Sequence, residues 1–265
     1  MTDTPTATET EPEAITLHKF EEFALPQPIL RAIRDLGFEQ CTPIQSASLP
    51  SSLADYDVTG QAQTGTGKTA AFLLTILTRL WEEPEAQPLA HGTPRALVLA
   101  PTRELALQIE SDAQELAKYM DIGVLAVVGG MDFQKQLDRI EAKPIHLLVG
   151  TPGRLLDFVN RRKIKLGGVD VLVIDEADRM LDMGFIPDVR RIVYQTPHKR
   201  KRQTLFFSAT FNDDVMRLAK SWTLAPEHVV ITPETVATDT VDQKFWLVSA
   251  DKKAPLLAEF LEKEK

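Results

Sequence analysis

Two separated polar segments have residue types suited to phosphate chemistry. One is glycine-rich, Ala62-Gln63-Thr64-Gly65-Thr66-Gly67-Lys68-Thr69, and the other, Asp175-Glu176-Ala177-Asp178, follows an apolar run. Glycines let backbone amides turn toward phosphate oxygens, a lysine can reach the β and γ phosphates, and a threonine hydroxyl can ligate Mg²⁺. Carboxylates at the end of a buried strand can hold the metal and orient a water molecule. Together the segments predict binding and hydrolysis of a nucleoside triphosphate.

Each residue of these segments has a distinct expected role. We assign phosphate contact to Lys68, metal binding to Thr69 and Asp175, and orientation or deprotonation of the attacking water to Glu176. The usual pattern G-x-x-x-x-G-K-[ST] begins with glycine, and Ala62 stands there in this sequence. The alternatives are a glycine-rich turn that caps a helix and an acidic first helical turn, because Asp and Glu favour helix N-termini. The presence of both segments favours the nucleotide interpretation.

The segment Thr42-Pro43-Ile44-Gln45 precedes the glycine-rich loop and offers a way to select the base. A side-chain amide both donates and accepts, and adenine exposes an amino donor beside the N7 acceptor, whereas guanine exposes two acceptors there. We therefore predict that Gln45 reads adenine, with Phe20 and Phe38 as candidates to pack on the base. The alternative for either phenylalanine is an ordinary core position.

Three expected strand-to-helix junctions, at 101–104, 151–154 and 208–210, place small or hydroxyl residues where a helix begins. Two of them add an arginine, Arg103 or Arg154, and free amides plus an arginine at a helix N-terminus bind anions. Capping by Ser, Thr and Pro explains each junction taken singly. The row as a whole favours a sugar–phosphate strand bound without sequence reading. Gly129-Gly130 either lets a backbone approach closely or forms a turn.

The apolar pattern predicts the elements that position these residues. Predicted strands at 95–100, 124–128, 145–149, 169–174 and 204–208 alternate with predicted helices at 70–80, 104–119, 132–141, 154–160, 186–194 and 213–221, and a further helix is predicted at 28–36. This alternation predicts an α/β fold, a parallel sheet with helices on both faces. In such sheets ligands bind beyond the carboxyl ends of the strands.

Composition sets further bounds. The 265 residues are 43% hydrophobic and 26% charged, which is typical of a globular protein, and the single cysteine excludes an intramolecular disulfide and a cysteine-rich zinc site. No apolar run approaches the roughly 20 residues of a membrane helix, and the N-terminus has no secretory signal, so we expect a cytoplasmic protein.

The net charge is −8, and removing the four acidic residues of 1–14 leaves −4. Tight duplex binding by bulk charge is therefore not expected. The basic run 199–202 is predicted to be a solvated loop.

The domain boundaries follow from breaks in the pattern. We expect a disordered acidic tail over 1–17, a nucleotide-binding domain over 18–232 and a linker over 233–242. A predicted strand at 244–248 and a helix at 254–261 cannot close a core of their own. We therefore expect 243–265 to be the truncated start of a second domain.

In their order along the chain these motifs resemble those of the DEAD-box ATP-dependent RNA helicases. The resemblance runs from Phe20 through 37–38, 42–45, 62–69, 101–105, 129–130, 151–154, 175–178 and 208–210. The family commonly has proline where this chain has Cys41. The segments 41–45 and 60–69 are most similar to bacterial members associated with RNA degradation.

The resemblance implies a RecA-like P-loop NTPase fold, ATP and Mg²⁺ as cofactors, and an RNA-dependent ATPase that remodels or unwinds short RNA duplexes. Its implied partners are RNA, held by the sugar–phosphate backbone without sequence specificity, and an RNA-degradation complex. The implied nucleotide residues are Phe20, Gln45, Ala62, Gln63, Thr64, Gly65, Thr66, Gly67, Lys68 and Thr69, with Asp175 and Glu176 for metal and water. The implied RNA residues are Pro101, Thr102, Arg103, Gly130, Thr151 and Arg154. Asp178 is implied to couple to Ser208 and Thr210, linking the ATP state to the grip on RNA.

The family's second domain supplies arginine fingers, which are worth about 10³–10⁵ in rate. Because only its opening segment is expected in this sequence, we predict that the polypeptide binds ATP but is nearly inactive alone. Two other functions remain open. One is an ATP-gated RNA clamp or scaffold with incidental hydrolysis. The other is a DNA helicase, since 2′-hydroxyl contacts cannot be recognised from sequence.

Overall fold

A computed structural model describes residues 16–85, 89–231 and 246–263 of the protein. The expected linker over 233–242 lies outside the described residues, as does nearly all of the expected tail over 1–17. Two compact units are present, Met1–Ile231 and Thr232–Lys265. The functional residues of the sequence analysis all lie in the first unit.

The first unit is built on a parallel sheet. Its strands are β1 Val58–Gln61, β2 Ala96–Leu99, β3 Val124–Val127, β4 Leu147–Gly150, β5 Val171–Ile174, β6 Gln203–Ser208 and β7 Glu227–Val230. They lie in the order β3-β4-β2-β5-β6-β1-β7, and every pairing is parallel. We call the side on which the strands end the carboxyl edge. All the expected functional loops leave the sheet at or near this edge.

The helices of the first unit are α1 Gln27–Asp35, α2 Pro43–Leu53, α3 Lys68–Glu82, α4 Arg103–Leu116, α5 Phe133–Ala142, α6 Pro152–Asn160, α7 Ala177–Asp182, α8 Ile186–Val193 and α9 Asp213–Trp222. Short 3-10 helices lie at Phe20–Glu22 and Ala250–Lys252. Each strand sends alternate side chains to opposite faces. Thus Val98 joins one core with α1 to α4, and Leu97 and Leu99 join a second core with α5 to α9. The predicted α/β fold with both faces covered is confirmed.

Besides the short helix α7 and the 3-10 helix at Phe20–Glu22, the sequence pattern did not predict α2, β1 or β7. Helix α2 carries Pro43 in its first turn and Pro50 inside, and its apolar residues lack a helical period, so the sequence hides it. Strand β1 is only four residues long and contains Gly60. A β-carbon at Gly60 would lie 2.5 Å from the Phe207 ring, so the glycine makes room for a core aromatic. Strand β7 is a short edge strand with one buried residue, Val229.

The second unit contains helix α10, Lys253–Lys263, which includes the predicted helix at 254–261. The predicted strand at 244–248 is wrong in its described part, because 246–248 form no strand. Trp246 instead packs edge-on against Phe260, with ring centroids 4.7 Å apart. An isolated extended segment has no neighbouring strand to satisfy its backbone groups.

Within the described ranges, no helix is both long enough and apolar enough to cross a bilayer.

Candidate functional site

A cavity of about 560 Å³ opens at the carboxyl edge beside β1 and β5. Its walls include Gln45 from α2, Thr64 and Lys68 from the glycine-rich loop, and Asp175 and Glu176 from the end of β5. The strand order places β5 and β1 on either side of β6, which brings segments more than a hundred residues apart to one pocket. The predicted convergence of lysine and carboxylates is present in the geometry.

The glycine-rich loop has a conformation that its glycines make possible. Gly65 and Gly67 have φ of +84° and +94°, in the left-handed region. A β-carbon at Gly67 would lie 2.6 Å from Gln45 Nε2 and 2.8 Å from Thr42 Oγ1. Any side chain there would push the loop away from α2. The positive φ at Gly67 also starts α3, so this helix begins at Lys68, two residues before the predicted start.

Lys68 is folded back over its own loop. Its Nζ donates to the carbonyl of Ala62 at 2.7 Å, and the residue is 6% exposed. An ammonium group has three donors, so this bond leaves two for a phosphate. The side chain nevertheless has to rotate outward, or a ligand has to reach in, before lysine and phosphate meet.

Asp175 is buried at the end of β5, and its carboxylate accepts a hydrogen bond from the Glu176 amide at 3.0 Å. Burial raises the pKa of Asp175 to about 6. The positive charge of Lys68 works against this rise, and the negative charge of Glu176 adds to it. An acid held this far from water gains from a nearby cation, which suits a metal-binding role.

Glu176 occupies a strained position. Its φ of +51° places a non-glycine residue in the left-handed region, a cost of about 1–3 kcal/mol that tends to be retained at functional sites. Its carboxylate accepts a hydrogen bond from Thr64 Oγ1 at 3.3 Å and pairs with Arg179 at 3.2 Å. The Arg179 contact was missed. The three-residue spacing at the start of α7 is a signal that could have found it.

Gln45 ties the base-reading segment to the loop. Its Oε1 accepts from the Thr42 amide at 2.9 Å, and its Nε2 donates to the Gly67 carbonyl at 3.0 Å. A side-chain amide has two donor hydrogens and two acceptor lone pairs, so one of each remains for a base. The buried Thr42 Oγ1 beside the cavity has no hydrogen-bond partner among the described residues. Polar groups left unsatisfied at a cavity wall fit a polar ligand such as adenine.

The two candidate phenylalanines differ. Phe20 is 1% exposed and belongs to the core, although it also forms part of the cavity wall. Phe38 is 43% exposed and lies at the mouth, with its ring centroid 6.4 Å from that of Phe20. The core alternative is therefore wrong for Phe38, because Gly37 ends α1 and turns the ring outward. An exposed aromatic at the cavity mouth can stack on a base.

The proposed coupling residues are in direct contact. Asp178 Oδ2 accepts from the amide of Thr210 at 2.9 Å and from its hydroxyl at 3.1 Å. The Asp178 amide donates to Ser208 Oγ at 3.2 Å. These bonds join the start of α7 to the end of β6. Three hydrogen bonds therefore connect the two junctions.

The candidate RNA residues line the other half of the carboxyl edge, after β2, β3 and β4. Pro101 is buried, and Thr102 caps α4 by accepting from the Leu105 amide at 3.3 Å. Arg103 is exposed. A β-carbon at Gly130 would lie 3.5 Å from Arg103 Nη1, so the guanidinium lies close to the glycine pair.

Thr151 and Arg154 bind the turn that follows β3. Thr151 Oγ1 accepts from the Gly129 amide at 3.2 Å rather than capping its own helix. Arg154 donates to the Met131 carbonyl at 2.9 Å. Capping therefore explains Thr102 but not Thr151 or Ser208. The structure brings the six candidate RNA residues to one half of the edge, separate from the nucleotide cavity.

The cavity has few side-chain atoms that could bind a metal ion. Among the described residues, no group of three or more His, Cys, Asp and Glu side chains is placed to hold a metal ion. The cavity offers two buried carboxylates, Asp175 and Glu176, with the hydroxyl of Thr69 in the first turn of α3. This sparse oxygen set fits Mg²⁺, which usually keeps waters and binds through one or two carboxylates plus substrate phosphates.

Comparison with known proteins identifies the family of the chain independently of the site geometry. The family model described as DEAD/DEAH box helicase matches residues 42–218. The chain is 56% identical over 239 residues to a protein named ATP-dependent RNA helicase RhlB from Pseudomonas aeruginosa, covering 90% of this chain and 60% of that protein. The protein of the same name from Vibrio cholerae is 40% identical over 250 residues, covering 94% of this chain and 57% of that protein. The chain thus spans about 60% of the length of the curated relatives it matches.

Proposed function

Because this chain belongs to the DEAD/DEAH box helicase family, we propose that it is the ATP-binding part of an ATP-dependent RNA helicase. The observation that carries the proposal is the single cavity in which Lys68 lies opposite Asp175 and Glu176. The activity, substrates and partners of the whole protein remain proposals, since the relatives are longer than this chain.

In the proposed reaction, the backbone amides of the glycine-rich loop bind the phosphates, and Lys68 leaves the Ala62 carbonyl to contact the β and γ phosphates. Thr69 and Asp175 would hold Mg²⁺, which neutralises charge on the phosphate oxygens when bound. Glu176 would orient or deprotonate the attacking water. Gln45 would read adenine with its remaining donor and acceptor, and Phe38 would stack on the base beside Phe20.

On the RNA side, Arg103 and Arg154 would contact phosphates, together with backbone amides near Pro101, Thr102, Gly130 and Thr151. Backbone amides and arginines at helix starts are groups that bind phosphate, which supports binding through the sugar–phosphate backbone. Asp178 would report the nucleotide state to the RNA side through Ser208 and Thr210. Remodelling of short duplexes, participation in an RNA-degradation complex and a cytoplasmic location stay predictions.

The first test is calorimetry of MgATP binding to this chain. We expect saturable heat with MgATP and weaker binding of MgGTP, because Gln45 matches adenine and mismatches guanine. If neither MgATP nor MgGTP gave any heat of binding, the proposal would be refuted. The second test uses the full-length protein, where RNA should stimulate ATP hydrolysis more than DNA of the same sequence does.

An ATP-gated RNA clamp is the second candidate. The observation that favours it is the resting state of Glu176, whose carboxylate is held by Thr64 and Arg179 rather than open to water. Duplex separation by the full-length protein distinguishes the two functions. A helicase loses separation in the Glu176→Gln variant, whereas a clamp holds RNA equally well in both forms and separates nothing.

A further inference from the structure

A second polar surface lies away from the carboxyl edge. Two adjoining cavities of about 220 and 320 Å³ lie along α8, α9 and the loop 194–202. Both are lined by Tyr194, Ser221 and Trp222, and they are flanked by Arg190 and Arg217 on one side and Lys199 on the other. We call this surface the basic groove. The loop precedes β6, so its far end lies at the amino edge of the sheet.

The charge around the basic groove is opposite to that of the chain. Residues 186–223 contain eight Lys and Arg and three Asp and Glu, a net charge of +5 within a chain of −8. Arg190, Arg200 and Lys201 are exposed. A concentration of cations on an otherwise acidic protein attracts polyanions locally.

The basic run 199–202 is only half solvated, so its prediction as a solvated loop was partly wrong. Lys199 Nζ donates to the carbonyls of Lys220 at 3.1 Å and Thr223 at 2.8 Å, at the end of α9. Arg202 is buried and donates to Thr196 Oγ1 at 2.8 Å and to the Trp222 carbonyl at 3.4 Å. Lys199 and Arg202 thus fix the loop against the end of α9. Arg200 and Lys201, between these two bound residues, are exposed on a loop that is held at both sides.

Tyr194 is the central feature of the basic groove. It ends α8 and is 84% exposed, and its side chain forms part of both cavities. An accessible ring bordered by cavities and arginines is the arrangement on which nucleic-acid bases stack without sequence preference. The Arg190 side chain has no hydrogen-bond or ion-pair partner among the described residues, so its guanidinium is available for a phosphate.

We propose that the basic groove is a second binding surface for single-stranded RNA, in addition to the row at the carboxyl edge. One or two bases would stack on Tyr194, and Arg190 and Lys201 would contact phosphates, whereas Arg217 is already paired with Asp214 on the groove wall. The groove runs along α9 from Asp214 in its first turn to Trp222 at its end, so most of its length, roughly 12 Å, extends away from the carboxyl edge. The groove would hold a flank of the substrate while the carboxyl edge holds the remodelled part. This inference rests on the proposed RNA substrate.

An acidic protein segment is the competing occupant, and the burial of the groove floor disfavours it. Leu218 and Trp222 are already 4% and 7% exposed, so an apolar peptide side chain would hide little further area there. The exposed apolar surface is mostly the Tyr194 ring. A base gains from that ring through stacking, which needs a face rather than a deep pocket.

The test measures binding of a fluorescent single-stranded oligouridylate to this chain by anisotropy at low salt. Arg190→Glu should weaken binding about fivefold or more and flatten its salt dependence. Arg191→Glu is the matched control, since it makes the same charge change at the next position of α8. Arg191 is exposed but pairs with Asp188 and does not line the groove. It should change affinity less than twofold.

A second pair of variants tests stacking. Tyr194→Ala should weaken RNA binding at least about fivefold, and Tyr194→Phe should keep it, because the ring and not the hydroxyl supports the base. Oligouridylate carrying 4-thiouridine should photo-crosslink to peptides within 190–222 in the wild-type protein. Thermal melts of all four variants identify any loss caused by unfolding.

Three outcomes overturn the proposal. Equal losses in Arg190→Glu and Arg191→Glu would mean that only net charge matters. Crosslinks confined to 101–104, 129–131 and 151–154 would place RNA at the carboxyl edge alone. Poly-glutamate that binds more tightly than oligouridylate and displaces it from the groove would assign the surface to an acidic protein. The heat of MgATP binding is measured on the same samples. Loss of that heat would refute the proposed function, whereas normal heat with no RNA bound at the groove would refute the groove proposal alone.

Discussion

The carboxyl edge has two halves, which differ in the hydrogen bonding of their polar side chains. The nucleotide half lies around the cavity beside β1 and β5, and the RNA half follows β2, β3 and β4. On the nucleotide half, Lys68, Glu176 and Asp178 are each held by other protein groups, and Lys68 and Glu176 are under 9% exposed. On the RNA half, the Arg103 side chain is exposed and has no hydrogen-bond partner within the described residues. The threonines of that half are used to fix turns rather than to hold one another.

This difference indicates two modes of ligand binding. On the nucleotide half, the polar side chains are hydrogen-bonded to other groups of the protein. A bound nucleotide therefore has to replace some of those hydrogen bonds with its own. The RNA half presents the exposed Arg103 side chain, while Arg154 is held by the Met131 carbonyl, so we expect RNA to bind there with less rearrangement. Substitutions on the nucleotide half should therefore have large effects, and those on the RNA half smaller and more local ones.

The largest effect is expected for Glu176→Gln. In the full-length protein with RNA, the rate of ATP hydrolysis should fall about 10²–10⁴-fold, because an amide cannot take a proton from water. MgATP affinity should stay within a few-fold, since the amide oxygen can still accept from Thr64 and Arg179. Steady-state hydrolysis and calorimetry measure the two quantities. A rate that stays within threefold of wild type would remove Glu176 from the reaction.

Lys68→Ala should produce the next largest effect, a loss of about 10²-fold or more in MgATP affinity. Two charge-assisted hydrogen bonds to phosphate, each worth about 1.5–3 kcal/mol, would be lost. Calorimetry on this chain measures the change. Lys118→Ala is the control, because Lys118 is exposed, pairs with Asp35 and lies outside the cavity. Similar affinities for the two variants would contradict the account.

Asp175→Asn should stabilise the ligand-free protein at neutral pH. Burial raises the pKa of Asp175 to about 6, above its ordinary value, so the folded protein holds a proton that the unfolded chain has released. Stability therefore falls as pH rises from about 4 to about 6, by an amount on the order of 2–3 kcal/mol. The variant should avoid that loss and melt higher than wild type at pH 7.5.

The same titration gives two checks. Below about pH 4 the melting temperatures of Asp175→Asn and wild type should converge, because both side chains are then neutral. MgATP affinity of the wild type should weaken as pH falls through about 6, since a metal ligand has to be deprotonated. A wild type more stable than the variant at pH 7.5 would show that the buried charge is compensated.

Arg103→Ala tests the RNA half and should have the smallest effect. Single-stranded RNA affinity should fall by a few-fold, with a salt slope reduced by about 0.7, the value for one phosphate contact on a single strand. MgATP affinity should not change. Lys165→Ala removes an equally exposed cation from the loop before β5 and should leave RNA affinity unaltered. A large loss of MgATP binding in Arg103→Ala would break the proposed division of the edge.

Local patterns predicted most of the fold. Long amphipathic helices such as α4 and apolar strands such as β5 were found within a few residues, because their periodicity is strong. Helix α2 and strand β1 were missed. Prolines and serines dilute the pattern of α2, and β1 is held by pairing with distant β6 rather than by its own four residues.

The candidate site divides in the same way. Residue types identified Lys68, Asp175 and Glu176 as one chemical set, and the fold brings them to one cavity. Sequence could not show that Lys68 binds Ala62 or that Glu176 binds Arg179, because these contacts depend on backbone conformation at single residues. Nor could it show which cations of 199–202 face outward. Pairwise packing against α9 decides that.

The central claim is that the glycine-rich loop and the Asp175-Glu176 pair surround one metal–nucleotide complex. The most direct test replaces Mg²⁺ by paramagnetic Mn²⁺ and records amide NMR spectra of this chain with ATP. The account predicts the strongest broadening at 64–69 and at 175–178, and weaker broadening at 129–131. Broadening at only one of the first two segments, or equal broadening across both halves of the edge, would contradict it.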